Sequence, residues 1–205
     1  GTLRMRAGAN EEAIQDFNNA IALNPKDDKA YSGRGTLRLA DGNHSAAVAD
    51  FDRAITLKPG LVNYLVLRGH AHLVAGRVDA AIEDLNQAIA RNPKNSNALN
   101  NRGLAHRKKG DLERAISDYT AAIAASPLYA LAYNNRGYAF EAMAKKTEAL
   151  QDFRRALSID PSLSGARIAL ERLGEAGDLA AQASRLTKEG KALAEKNCAW
   201  CHAIE

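Results

Sequence analysis

Aromatic side chains make up only 5% of this 205-residue chain, with a single tryptophan, two methionines and two cysteines. A globular core built around bulky rings is therefore a poor expectation. The 46% of apolar residues, rich in alanine, suit helices packed closely side by side. No apolar stretch approaches the roughly 20 residues that a membrane-spanning helix needs, and no targeting signal is legible. The net charge of +4 carries no long basic run, which argues against strong nucleic-acid binding. No set of residues supplies a nucleophile with a base, a phosphate loop or paired acids in a cleft, so no enzymatic activity is expected. Proline is scarce too, and its placement is informative: Pro25, Pro59, Pro93, Pro127 and Pro161 stand 34 residues apart.

That period marks an array of paired helices, each pair closed by a proline that stops one helix before the next begins. With proline as position 32 of a unit, position 8 is Gly1, Gly35, Gly69, Gly103 and Gly137. Position 20 is Ala13, Ala47, Ala81, Ala115 and Ala149, and position 27 is Ala20, Ala54, Ala88, Ala122 and Ala156. Position 24 is large: Phe17, Phe51, Leu85, Tyr119 and Phe153. Small residues let the two helices of a unit approach, and the ring is expected to fill the space between neighbouring units. Position 15 is Gly8, Gly42, Gly76 and Gly110, with Ala144 the single departure; glycine there supplies the left-handed residue that ends the first helix.

On these residues the chain resembles the tetratricopeptide repeat (TPR) family, from Gly1 to about Pro161. The expected fold is all-α, a right-handed α-solenoid of stacked helix-turn-helix repeats with a C-terminal helical extension. Residues 1–27 form a partial unit whose first helix is truncated, followed by units at 28–61, 62–95, 96–129 and 130–162. First helices (A) are expected near 28–41, 62–75, 96–109 and 130–143, and second helices (B) near 10–23, 44–57, 78–91, 112–125 and 146–159. Segment 163–174, with Leu163, Ile168, Leu170 and Leu173, reads as a capping helix. The truncated first unit predicts apolar surface near Ile14, Phe17 and Ile21, exposed or covered by a neighbouring molecule.

A charge pattern runs through the units. Position 7 is Arg34, Arg68, Arg102 and Arg136; position 23 is Asp16, Asp50, Asp84, Asp118 and Asp152. A row of arginines for anion capture is one reading. Structural ion pairs between stacked helices are the better one, because the aspartates recur as regularly as the arginines. If such a pair is well buried, removing Asp84 alone should cost about 3–5 kcal/mol.

The resemblance implies that A helices line a concave face that holds an extended peptide or partner helix. In the unit at 96–129 this places Asn97, Asn100, Asn101, Leu104, Arg107 and Lys108 on that face. The next unit offers Leu131, Asn134, Asn135, Tyr138, Glu141 and Ala142, and the preceding one Val66, Leu67, His70, Leu73 and Val74. Asparagine amides grip a peptide backbone without regard to its side chains, and Arg107 with Lys108 would favour an acidic group. The lysine that chaperone-binding members use for a terminal carboxylate is Ser32, Val66, Asn100 or Asn134 here, so no carboxylate clamp is expected. A metal site is not expected either: His70 and His72, two residues apart on a helix, face different directions, and His72 and His106 share an interface position.

After Gly177 the rhythm stops. Asp178 can cap a helix in which Leu179, Leu186 and Leu193 repeat every seven residues, too briefly for a coiled coil. Cys198-Ala199-Trp200-Cys201-His202 is then the c-type haem attachment pattern, with both thiols on the haem and His202 on the iron. Gly190 and Leu193 resemble the opening of a class I cytochrome c, although Ala194 stands where an aromatic is usual. Such a domain needs about 80 residues and a distal ligand, while only Ala203, Ile204 and Glu205 follow. A thioredoxin-like pair lacks a strand beside it, and a zinc site lacks a fourth ligand.

The expectation is a piece of a longer, extracytoplasmic (periplasmic) bacterial protein, truncated at both ends. In it a TPR scaffold is fused to an electron-transfer domain carrying haem c. The alternative is a plain adaptor with no redox role, whose thiols stay free or join each other. Self-association through the exposed first unit or the helix at 178–205 is a further expectation.

Overall fold

The computed structural model describes residues 10–173. Ten helices and no strand occur among them: α1 Asn10–Leu23, α2 Asp28–Ala40, α3 His44–Leu57, α4 Val62–Val74, α5 Val78–Arg91, α6 Ser96–Lys108, α7 Leu112–Ala125, α8 Ala130–Ala142, α9 Lys146–Ile159 and α10 Ser164–Arg172. The even-numbered helices α2 to α8 are the A helices, and the odd-numbered ones α1 to α9 are the B helices. All five B helices span the residues that the proline and glycine spacing predicts, and each A helix ends one residue earlier than predicted. Each helix packs on its neighbours in the chain, giving an all-α solenoid. Successive A helices touch more extensively than successive B helices, so the A row forms the inner wall of the curve. None of these helices is long and apolar enough to cross a membrane.

The core is a chain of small clusters strung along the stack. Ala13, Ala47, Ala81, Ala115 and Ala149 are fully buried, as are Ala54, Ala88, Ala122 and Ala156. The large residue at position 24 rests on the glycine of its own unit and also packs against the next unit, Phe51 with Ala71 and Tyr119 with Ala139, so it fills the space between units as expected. A methyl group on Gly103 would stand 2.6 Å from the Tyr119 ring; on Gly137 it would stand 2.8 Å from Phe153. Phe17 also reaches across to Gly33 of the next unit and is 8% exposed, with Ile14 and Ile21 half-buried beside it. The apolar surface predicted there is thus partly covered by α2, which buries Phe17 and leaves Ile14 and Ile21 half-buried.

Gly42, Gly76 and Gly110 take φ of +78°, +77° and +81°, and Ala144 takes +58° at the same position. The following residue then donates its N–H to a carbonyl in the last turn of the A helix, as from Arg77 to His72 and from Lys145 to Phe140. Ala144 makes the turn at a conformational cost that glycine avoids.

Helix α10 closes the array. Leu163, Leu170 and Leu173 pack with Phe153 and Tyr138, but Ile168 is 60% exposed and takes no part in the cap.

Candidate binding face and its bracing

Each arginine at position 7 is clamped three ways. Arg34 gives Nε and Nη2 to the Asp50 carboxylate at 3.0 and 2.6 Å, and Nη1 to the Asn18 amide oxygen at 2.7 Å. Arg102 does the same with Asp118 (2.9 and 2.7 Å) and Asn86 (2.8 Å), and Arg136 with Asp152 (2.7 and 2.8 Å) and Thr120 (3.0 Å). Arg68 grips Asp84 and, through Nη1, Asp52 at 2.7 Å. The bidentate partner lies on the B helix of the same unit, and the third partner on the B helix of the unit before. One guanidinium therefore fastens three helices, and the carboxylates are almost fully buried. The third contact escaped sequence reading, although its signal is there: Asn18, Asp52, Asn86 and Thr120 stand 34 residues apart.

Arg38 adds a second cation to Asp50 at 2.8 Å. At the equivalent place His72 and His106 bring Nε2 to 3.9 Å from Asp84 and Asp118. Burial pushes both imidazoles down, against the pull of the neighbouring aspartate, so they pack as neutral rings.

The inner wall is less open than the sequence implies. Asn100 is 3% exposed, and its amide oxygen accepts from Asn135 Nδ2 at 2.9 Å, bracing α6 against α8 rather than facing a ligand. Val66 and Leu73 belong to the core. Tyr138 donates its hydroxyl to the Gly165 carbonyl at 2.8 Å and sets its ring edge-on to Phe153, so it ties α8 to the cap. Asn97 and Lys108 are exposed, and Asn101, Arg107, Asn134 and Asn135 half-buried. His70 is half-buried with Nδ1 unpartnered, and burial pushes it toward the neutral form. Cys198, Cys201 and His202 lie outside the described residues, as does the helix expected at 178–193.

On the outer side, a cleft of about 360 Å³ opens between α5 and α7, with Asn86, Arg102, His106 and Arg114 among its walls. Its charges are already matched: Arg102 by Asp118, Arg114 by Asp111, and nearby Lys109 by Asp79. Among the described residues no group of three or more His, Cys, Asp or Glu could hold a metal ion.

Two tetratricopeptide repeat profiles match the chain, one over residues 1–62 and 66–130 and the other over 130–163. The chain belongs to the tetratricopeptide repeat family. Solved TPR structures share the fold. TTC0263, a thermophilic TPR protein in Thermus thermophilus, is 19% identical with a TM-score of 0.73, over 84% of this chain and 94% of its own. MamA from Desulfovibrio magneticus RS-1 is 21% identical, with a TM-score of 0.66 over 78% and 90% of the two chains. YrrB, a TPR protein with an unusual peptide-binding site, is 21% identical, with a TM-score of 0.62 over 83% and 88%. No curated protein matches the sequence. The TPR array here thus presents two surfaces of different chemistry: an outer cleft whose cations are paired, and an inner row of amides and cations.

Proposed function

We propose that this TPR array is a scaffold that holds an extended protein segment against its inner wall, across α6 and α8. One observation carries the reading: Asn97, Asn101 and Lys108 on α6 are open hydrogen-bonding groups, whereas the position-7 arginines are spent on bracing. Amides at this spacing can donate to and accept from a peptide backbone at once. YrrB, which shares the fold, has a peptide-binding site. Blocking the wall tests the reading. Asn101→Trp should abolish retention of peptides from an array of N-acetylated, C-amidated octapeptides, and Gln87→Trp on the outer face of α5 should not. Equal retention by both variants would refute it.

A second reading rests on Cys198-Ala199-Trp200-Cys201-His202. We propose that these residues attach haem c, which would put the protein outside the cytoplasm and give it a one-electron role beside the scaffold. Haem bound there would be linked through Cys198 and Cys201, with His202 as an iron ligand. Protein co-expressed with cytochrome maturation machinery should keep a haem stain after denaturing electrophoresis, and Cys198→Ala with Cys201→Ala should lose it. No stain in the unaltered chain would leave a plain adaptor.

A further inference from the structure

Six arginines lie on the inner helices α2, α4, α6 and α8: Arg34, Arg38, Arg68, Arg102, Arg107 and Arg136. Five of them hold a carboxylate. Arg107 holds none among the described residues, although it is half-buried and its Nε is buried without a hydrogen-bond partner. Its guanidinium is stacked 5.9 Å from the centre of the Tyr138 ring, and that ring is itself fixed by the bond from Tyr138 to Gly165. The same guanidinium acts on the fully buried Tyr119 hydroxyl, through its charge and a side-chain hydrogen-bonding contact, but this partner is neutral and leaves the charge unmatched. Burial raises that phenol to about 12, and Arg107 works against the rise.

A cation held in place, partly desolvated and without an anion is costly unless something supplies one. The fold does not. The two acids on the same four helices are occupied, Asp28 by the Tyr64 hydroxyl and Glu141 by Arg172. Lys108, next to Arg107, is exposed and also lacks a counter-ion among the described residues. The cations of this wall without a carboxylate are then Lys29 at the start of α2 and the adjacent pair Arg107 and Lys108, so the densest uncompensated positive charge lies on α6.

We propose that Arg107 receives the side-chain carboxylate of an aspartate or glutamate in the protein segment that lies along α6 and α8, with Lys108 reinforcing the charge. This rests on the groove reading above. The planar guanidinium suits a carboxylate, and its stacking on Tyr138 fixes the plane in which a fork-to-fork pair forms. An internal side chain fits better than a chain terminus, because Asn100, which would help to enclose a terminal carboxylate, is buried against Asn135.

The test uses the full 205-residue chain and an array of blocked octapeptides, which carry no terminal carboxylate. Each peptide is made with Asp or Glu, with Asn or Gln, and with phosphoserine at the varied position. The expected result is that acidic peptides outbind their amide counterparts by about tenfold or more. Arg107→Gln should erase that preference while still retaining peptides through the asparagines. Should Arg107→Gln fail to fold, Arg107→Lys, which keeps the charge but loses the fork, should reduce the preference. Retention without preference for acid, a stronger preference for phosphoserine, or a preference unchanged in the Arg107 variant would each overturn the proposal and leave the groove reading standing. No retention of any peptide would overturn both.

Discussion

Arg68 and Arg102 make the same bidentate contact, yet they differ in what remains when that contact is lost. Without Asp84, Arg68 still has the Asp52 carboxylate at 2.7 Å; without Asp118, Arg102 keeps only the neutral Asn86 amide. The 3–5 kcal/mol expected for Asp84 assumes a sole partner, which the structure shows it is not. We predict that Asp118→Ala lowers stability by about 3 kcal/mol and Asp84→Ala by about 2 kcal/mol, measured as shifts in urea unfolding. Equal losses would show that the third contact carries no weight. At Ala144 the opposite change is expected. Its φ of +58° is one that glycine reaches freely, and the side chain is exposed. Ala144→Gly should stabilise the array by about 1 kcal/mol, read from the same unfolding curves. A loss would mean that the turn is held by contacts of the methyl group.

Helix starts alternate along the array. In the units at 28–61 and 96–129, the residues Asp27, Asn43, Asn95 and Asp111 cap their helices by accepting from backbone N–H groups of the first turn. In the other two, Leu61, Arg77, Tyr129 and Lys145 stand there and make no such bond. The backbone at Lys145 (φ −84°, ψ 71°) nearly matches that at Asp111 (φ −84°, ψ 80°), so the position is shaped for a cap it lacks. Lys145→Asp should raise the stability of the array by about 1 kcal/mol, since it adds an acceptor and reverses an unfavourable charge at the helix N-terminus. An unchanged melting temperature would sink that prediction.

Element boundaries were legible in the sequence because proline and glycine, which fix them, recur at 34-residue intervals and act locally. The state of the inner wall was not. Asn100 reads as a surface amide until Asn135, 35 residues on, comes beside it through the curvature of the stack. The exposure of Ile168 depends likewise on how α10 lies over α9, which periodicity does not encode. Arg107 was legible as a residue of the groove, but its lack of a counter-ion was not: that emerges only once five neighbouring arginines are seen holding theirs.

At the scale of the whole molecule, each unit touches mainly its neighbours, so stability is a sum over junctions and binding is a property of one wall. The bracing uses five of the six arginines of the A helices and leaves Arg107 on α6 without a carboxylate. A segment that docks there spans α6 and α8, which α10 steadies through Tyr138. The account stands or falls on which wall is used. In the isotope-labelled full chain, titration with an acidic blocked peptide from the array should move the resonances of Asn97, Asn101, Lys108 and Asn135 and the Arg107 side chain, leaving Asn86 and Arg114 in the outer cleft still. Movement centred on Asn86, Ser117 and Arg114, with the α6 and α8 asparagines unchanged, would contradict it.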